Sequence, residues 1–225
     1  MKINILTSTL SRKNLMALTG LFLCFFLVIH LLGNLQLLLP ANRAEGSFNH
    51  YSHLLSGNIF IKAVSYVLYL SLIAHAIDAL IISIRNRKTA GKYAYDDRKH
   101  TSKWYSRNMG VLGTILLIFL VIHFADFWYV YKFGVTALDK DGNKNLYVIV
   151  VHAFQTWWYV AFYVCSMFAL GYHLLHGVKS AVRTLGLYHP RYAGYVQTIG
   201  TVYSYAVTIG FSVIPVYVYF TQSGI

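Results

Sequence analysis

Five runs of the sequence, residues 14–39, 59–84, 108–131, 148–178 and 196–220, are each more than 20 residues long and mostly apolar. A bilayer's hydrocarbon core is about 30 Å thick, which an α-helix crosses in about 20 residues. In hydrocarbon a lone segment satisfies its own backbone only as a helix. The chain is therefore predicted to be an all-α integral membrane protein, a single domain over 1–225 with five transmembrane helices. Only 12% of its residues are charged, about half the ~25% usual in a soluble domain. Pro40 should close the first span and Pro215 should kink the fifth near its end. The fourth run is long enough to tilt or to project beyond the bilayer. The first is too long for a signal peptide and lacks a small-residue cleavage site, so it is expected to be a retained span.

The formal charge of +12 would suit nucleic acid if it formed one patch, but it is divided among short segments between the apolar runs. Lys2, Arg12 and Lys13 belong to the N-terminal segment. Arg85, Arg87, Lys88, Lys92, Arg98, Lys99, Lys103 and Arg107 lie between the second and third spans, against Asp96 and Asp97. Lys179, Arg183 and Arg191 mark the fourth loop. The first loop offers Arg43 and Glu45, with Lys62 just inside span two, and the third sets Lys132, Lys140 and Lys144 against Asp139 and Asp141. The positive-inside rule then places the N-terminus in the cytoplasm and the C-terminus outside. Lipid is an expected partner and nucleic acid is not.

Several chemistries are excluded. Cys24 and Cys165 lie inside apolar runs and read as small buried hydrophobes. The sequence has no C-x-x-C-H for covalent haem attachment and no C-x-x-C pair of the kind that holds iron–sulfur clusters. No G-x-G-x-x-G opens a nucleotide fold.

The histidines carry the chemical signal. FLVIH occurs twice, at 26–30 and 119–123, each time ending an apolar run in an imidazole. Of ten histidines, four fall well inside spans, one in each of the first four: His30, His75, His123 and His173. An ionisable group inside a membrane is costly and marks function by default. His30 is 17 residues from Lys13 and His123 is 16 from Arg107, so both sit about 25 Å from the basic edge. His75 precedes Arg85 by 10 residues and His173 precedes Arg183 by 10, placing both about 15 Å from it. Two pairs at two depths, about 10 Å apart, are what two stacked haems need, each iron taking one axial nitrogen from each of two facing helices. His30 and His123 would serve the outer haem, His75 and His173 the inner. Gly33, Ala79 and Gly177, one turn from a ligand, would leave room for the macrocycle. His176 is the rival of His173, one turn nearer the cytoplasm. His50, His53, His100 and His189 read as loop residues.

These residues resemble a known family: the membrane-anchor cytochrome b subunit of succinate:quinone oxidoreductases, of the single-subunit, five-helix, di-haem type. The likeness spans nearly the whole chain. It is most specific in MALTGLFLCFFLVIHLLGNL, in HAIDALIISIRNRKTAGKYAY and in YHLLHGVKSAVRTLG. The resemblance implies two b haems on the four histidines named above, in a four-helix haem-binding bundle with the fifth helix peripheral. It implies a flavoprotein and an iron–sulfur subunit as partners, and a membrane quinone, menaquinone in most such proteins, as electron acceptor or donor. The chain would carry electrons in succinate dehydrogenase or fumarate reductase without acting on succinate itself. Its place would be the bacterial cytoplasmic (inner) membrane, and its basic loops would dock the iron–sulfur subunit. Some fumarate reductases of the family carry a glutamate two residues before the fourth ligand; this chain has Gly171 there.

A quinone headgroup near the outer haem would need polar partners. Asn34, Gln36, Asp126, His152, Gln155 and Trp157 are the candidates. Asp78, one turn from His75 and the one acid deep in a span, would be a proton relay or a neutral hydrogen-bonding group. Trp128, Tyr129, Trp157 and Trp158 also fit an interfacial aromatic belt. Two other readings stand beside this one. One is the cytochrome b anchor of a different dehydrogenase, of hydrogenase or formate dehydrogenase type. The other is a transporter or scaffold whose histidines relay protons without a cofactor.

Overall fold

Helix α1 (Thr9–Asn34) begins at Ser8, whose hydroxyl accepts from the Ser11 amide at 3.1 Å and so satisfies one of the free donors of the first turn. The computed structural model describes residues 8–89 and 103–222. Lys2, Lys92, Asp96, Asp97, Arg98, Lys99 and His100 lie outside the described residues. After α1 come a 3-10 turn (Leu35–Leu38), α2 (Ala41–Gly57), α3 (Ile59–Thr89), α4 (Trp104–Arg107) and α5 (Met109–His123). A π-helical segment (Phe124–Tyr129) leads into α6 (Val130–Phe133), followed by α7 (Leu146–Ala153), α8 (Trp157–Thr184) and α9 (Ala193–Thr221). Among the described residues there are no strands, only one isolated bridge between Leu138 and Lys144.

Five of these segments are long and apolar enough to cross a membrane: Thr9–Leu38, Ile59–Asn86, Met109–Phe133, Trp157–Thr184 and Ala193–Thr221. Large apolar side chains such as Phe25, Leu70, Val121, Phe168 and Ile209 point away from the protein. A soluble monomer avoids so much exposed apolar surface, whereas a helix bundle in lipid presents it to the acyl chains. Cys165, expected to be buried, is on this exposed surface, while Cys24 is half-buried.

Two expectations change. The first loop is not a loop: α2 fills it, so His50 and His53 are helical, and Pro40 is the residue from which α2 starts. Lacking an N–H, proline suits that position. The fourth run is not one tilted span. It breaks at Phe154–Thr156 between α7 and α8, with Thr156 extended (φ −101°, ψ 112°). The Gln155 side chain donates to the Val151 carbonyl at 3.1 Å, closing the end of α7. Pro215 is buried within a helix that continues to Thr221.

Helices α1, α3, α5 and α8 form a closed ring, each packed against two of the others, and α9 lies along α8 and α1. The α8–α9 seam is tight because Gly171 leaves its space to Thr208. On the α1 side, Gly210 stands against Leu31, and the Tyr203 hydroxyl donates to the Cys24 carbonyl at 2.8 Å. At the α7 end of the ring, an aromatic core of Phe119, Phe127, Phe154, Tyr159 and Tyr163 fills the interior.

Beside that core a buried polar cluster ties α2 to α7 and to the end of α9. Asn49 donates to Asn145 Oδ1 at 2.9 Å and accepts from the Tyr147 amide at 3.0 Å. Asn145 donates to Glu45 at 2.7 Å. The Tyr147 hydroxyl donates to Gln222, which in turn donates to the Leu37 carbonyl at 2.9 Å. Every member has a partner, as burial demands.

Candidate cofactor-binding site

His30 is on α1 and His123 ends α5, helices on opposite corners of the ring. Their imidazole centres are 5.8 Å apart, with planes at 87°. His75 on α3 and His173 on α8 occupy the other two corners, with centres 6.2 Å apart and planes at 65°. The structure thus brings together the two pairs read from the sequence, one across each diagonal. An imidazole nitrogen sits about 2 Å from a metal it binds, so the ring centres of two imidazoles on opposite faces of one iron are about 6 Å apart. Both pairs have that separation.

The levels are further apart than sequence distances implied. Thr19 and Gly20 of α1 touch His75, and His30 is ten residues beyond Gly20. On α8, Tyr163 touches His123, and His173 is ten residues beyond it. Each helix therefore gives an offset of about 15 Å in place of the ~10 Å expected from the flanking basic residues.

The hydrogen bonds around the rings decide which nitrogens are free. Thr19 Oγ1 lies 3.2 Å from His75 Nδ1 and gives its own proton to the Leu15 carbonyl at 2.8 Å. The hydroxyl therefore offers a lone pair to His75, Nδ1 carries the ring proton, and Nε2 keeps its lone pair for a metal.

At the other level His123 Nδ1 is 3.2 Å from the Tyr163 hydroxyl. Tyr163 is 3.2 Å from the Tyr159 hydroxyl, and Tyr159 donates to Asp126 Oδ2 at 2.7 Å. Tyr159 has one proton and gives it to the shorter, carboxylate contact. Tyr163 then donates to Tyr159, and His123 Nδ1–H to Tyr163. The chain ends on a carboxylate, which again leaves Nε2 of His123 free. His30 is held by rings, with Phe26 stacked at 5.2 Å and Phe211 of α9 at 5.5 Å. His173 Nδ1 is buried without a hydrogen-bond partner among the described residues.

Space beside the rings also bears on a cofactor. A Cβ on Gly20 would come within 3.2 Å of His75 Cε1, so this glycine leaves room for the imidazole. Gly177 faces open space. Gly33 does not: its vacancy is filled by the Tyr51 ring of α2, whose hydroxyl donates to the Ile29 carbonyl at 3.2 Å. Ala79 is half-buried. Among the described residues no three histidine, cysteine or acidic side chains gather as a bare metal-ion site. Paired imidazoles at this separation, with Nε2 of His75 in one pair and of His123 in the other left free, fit a metal that brings its own equatorial ligands, as haem does.

The remaining candidates separate. His176 turns to Ser106, 2.7 Å from Nδ1 to Oγ, while His173 faces His75. Asp78 is an ion-pair partner: Arg12 Nη1 donates to its Oδ1 at 2.7 Å, tying the start of α1 to α3. Asn34 donates to the His30 carbonyl at 2.8 Å, Trp157 points outward, and Gln155 also reaches the Gln222 carbonyl at 3.5 Å. Gln36 is half-buried in the 3-10 turn. Asp126 and His152 alone of that set line a common cavity, of about 520 Å³, between the π-helical segment, the following loop, α7 and the start of α8.

Tyr159 and Tyr163 were not singled out from sequence. Their signal was spacing: Tyr159, Tyr163, Ser166, Leu170 and His173 follow one face of α8. Comparison with protein families, with curated proteins and with solved structures gave no match.

Proposed function

We propose that this protein is the di-haem cytochrome b membrane anchor of a succinate:quinone oxidoreductase, working as succinate dehydrogenase or fumarate reductase. The observation that carries the reading is the pair of histidine pairs, one across each diagonal of a four-helix ring, with centres 5.8 and 6.2 Å apart. His30 and His123 would hold one haem b, and His75 and His173 the other. When bound, such groups supply one-electron transfer at potentials set by their ligands and surroundings.

The chain's own residues do the rest. Thr19 fixes the tautomer of His75, and Tyr163 fixes that of His123. Phe26, Phe119, Phe127 and Phe211 keep water from the His30–His123 pair. By the charge bias, the N-terminus faces the cytoplasm of a bacterium. There the basic segments would meet an iron–sulfur subunit carrying electrons from a flavoprotein. The His30–His123 level and the cavity beside Asp126 then lie toward the outer face, where a membrane quinone, menaquinone by resemblance, would react. An anchor for a hydrogenase or formate dehydrogenase would be built from similar parts, and the identity of the co-purifying subunits separates the two.

The test is a pyridine haemochrome assay on the purified complex. Close to two haem b per chain is expected. Substituting His30 or His123 should remove one spectral component and substituting His75 or His173 the other. A colourless protein, made with ample haem and its partner subunits, would overturn the reading. A co-purifying subunit with covalent flavin supports the succinate family; its absence, with a nickel or molybdenum subunit in its place, supports the other dehydrogenases.

A further inference from the structure

At the end of α8 two cations share one face. Lys179 and Arg183 are four residues apart, a spacing at which like charges on a helix repel. Each is nonetheless held by a neighbouring element. Lys179 Nζ donates to Gln197 Oε1 of α9 at 3.4 Å. The Arg183 guanidinium stands 4.6 Å from the centre of the Tyr188 ring, in the loop between the two helices. Among the described residues neither cation has a carboxylate within ion-pair reach. Tyr188, Tyr192 and Tyr195 belong to the same end of the two helices, as aromatic side chains do where lipid meets water.

The same seam continues into an apolar groove. Phe168 lies 11 residues before Lys179 on α8, and Thr208 lies 11 after Gln197 on α9. Both intervals are three turns, which returns to the side of the seam where Lys179 meets Gln197. Phe168 and Thr208, with Ile209 and Val213, line a groove of about 540 Å³. Phe168, Ile209 and Val213 are exposed, so the groove faces the surrounding lipid. Along α8 its near end is about 16 Å from Lys179, close to half of the ~30 Å hydrocarbon core.

We propose that the α8–α9 seam holds one anionic phospholipid, its phosphate between Lys179 and Arg183 and an acyl chain running along the seam into the groove at Phe168. The site needs the five-span reading, and neither the haems nor the quinone. Charge complementarity selects the head: two donors on one helix face meet the oxygens of one phosphate, and the anion relieves their repulsion. Depth selects the tail, because the groove opens where a chain from that head reaches the middle of the bilayer. An acidic peptide would satisfy the cations and leave the groove empty. By the charge bias this end faces the cytoplasm, so the lipid belongs to the inner leaflet.

The test is native mass spectrometry on the purified complex, stripped of lipid in detergent and titrated with dioleoyl phosphatidylglycerol or dioleoyl phosphatidylcholine. Wild type should retain one phosphatidylglycerol per chain, at least about tenfold more tightly than phosphatidylcholine, the scale of two basic residues at a charged surface. Lys179→Gln with Arg183→Gln should abolish that preference, and Lys179→Arg should keep it. Ile209→Trp, which fills the groove, should weaken both lipids alike and preserve the preference. Lys140→Gln, on the third loop, should change nothing. Excess inorganic phosphate should not displace the lipid; displacement would show a bare phosphate site and overturn the proposal. Equal retention of the two lipids by wild type, or an unchanged preference in the double variant, also overturns it. If that double variant keeps the preference but sheds its partner subunits, the two cations serve a protein contact. If it keeps the preference and only melts lower, they serve the helix dipole alone.

Discussion

Gly20 on α1 stands so close to the imidazole of His75 on α3 that a Cβ there would lie 3.2 Å from Cε1. The contact shows how the sequence makes room for a ring on a neighbouring helix: the side chain is omitted where the imidazole must pass. It also separates the two levels experimentally, since His30 and His123 lie about 15 Å away along the helices. On the di-haem proposal, Gly20→Val should displace His75 and remove one of the two haems while the His30–His123 component persists. Haem per chain and the optical spectrum read this directly. Loss of both components together would mean that the substitution unfolds the bundle. Thr19→Val, which removes the hydroxyl beside Nδ1 without adding bulk, is the gentler variant. It should weaken retention of the same haem by roughly 10- to 100-fold.

Arg12 and Asp78 form a part-buried ion pair, with side chains 21% and 5% exposed. Removing one partner strands the other charge. Arg12→Leu should therefore cost about 3–5 kcal/mol, whereas Arg12→Leu with Asp78→Leu should recover most of that. Thermal melts in detergent check both. An ion pair that only oriented the chain in the membrane would show no such recovery in the double variant.

The five spans were legible because hydrocarbon admits few backbone solutions, and the four histidines because an imidazole stands out among leucines. What the sequence hid follows from the same physics. Arg12 reads as an ordinary flank of a first span, since nothing local shows that its guanidinium turns inward to Asp78. The break at Phe154–Thr156 has no glycine or proline to mark it, only Gln155 and Thr156 within an otherwise apolar run. Helix α2 mixes polar and apolar residues too evenly for a hydropathy window, although Ala44, Phe48 and Asn49 form its buried face. Tyrosines in an apolar helix read as packing, so the path from Asp126 to His123 emerges only when α8 is set against the π-helical segment. Asp126 lies in that segment, and such distortions of a helix recur at functional sites.

The Gly171–Thr208 contact leaves no room for a side chain two residues before His173. A Cβ on Gly171 would overlap Thr208 Oγ1, so any side chain there pushes α9 from α8. Gly171→Ala should destabilise the protein by roughly 1–3 kcal/mol. Thr208→Ala, which removes the clashing oxygen, should restore most of it, giving a strongly non-additive cycle. Gly171→Glu should destabilise further and should not be rescued by Thr208→Ala. The measurement is again thermal stability in detergent; additivity of the two alanine substitutions would show that the close approach does not set the seam.

Tyr163 offers the most direct view of how the carboxylate and the imidazole are linked. Its hydroxyl is the acceptor for His123 Nδ1 at 3.2 Å, and it is 6% exposed, so no water readily replaces it. Tyr163→Phe keeps the ring packed against Phe119 and Phe154 but leaves Nδ1–H unpaired. A ligand imidazole whose Nδ1–H loses its acceptor donates less electron density to its metal. On the di-haem proposal, the oxidised state of the iron that His123 would hold is then less favoured, and the reduction potential of that centre should rise. The centre on His75 and His173 should stay where it was. Tyr159→Phe, one step further along the chain, should move the potential in the same direction by a smaller amount. Potentiometric titration of both haem components in the three proteins tests the order; equal shifts in both components would break the link between this tyrosine and His123.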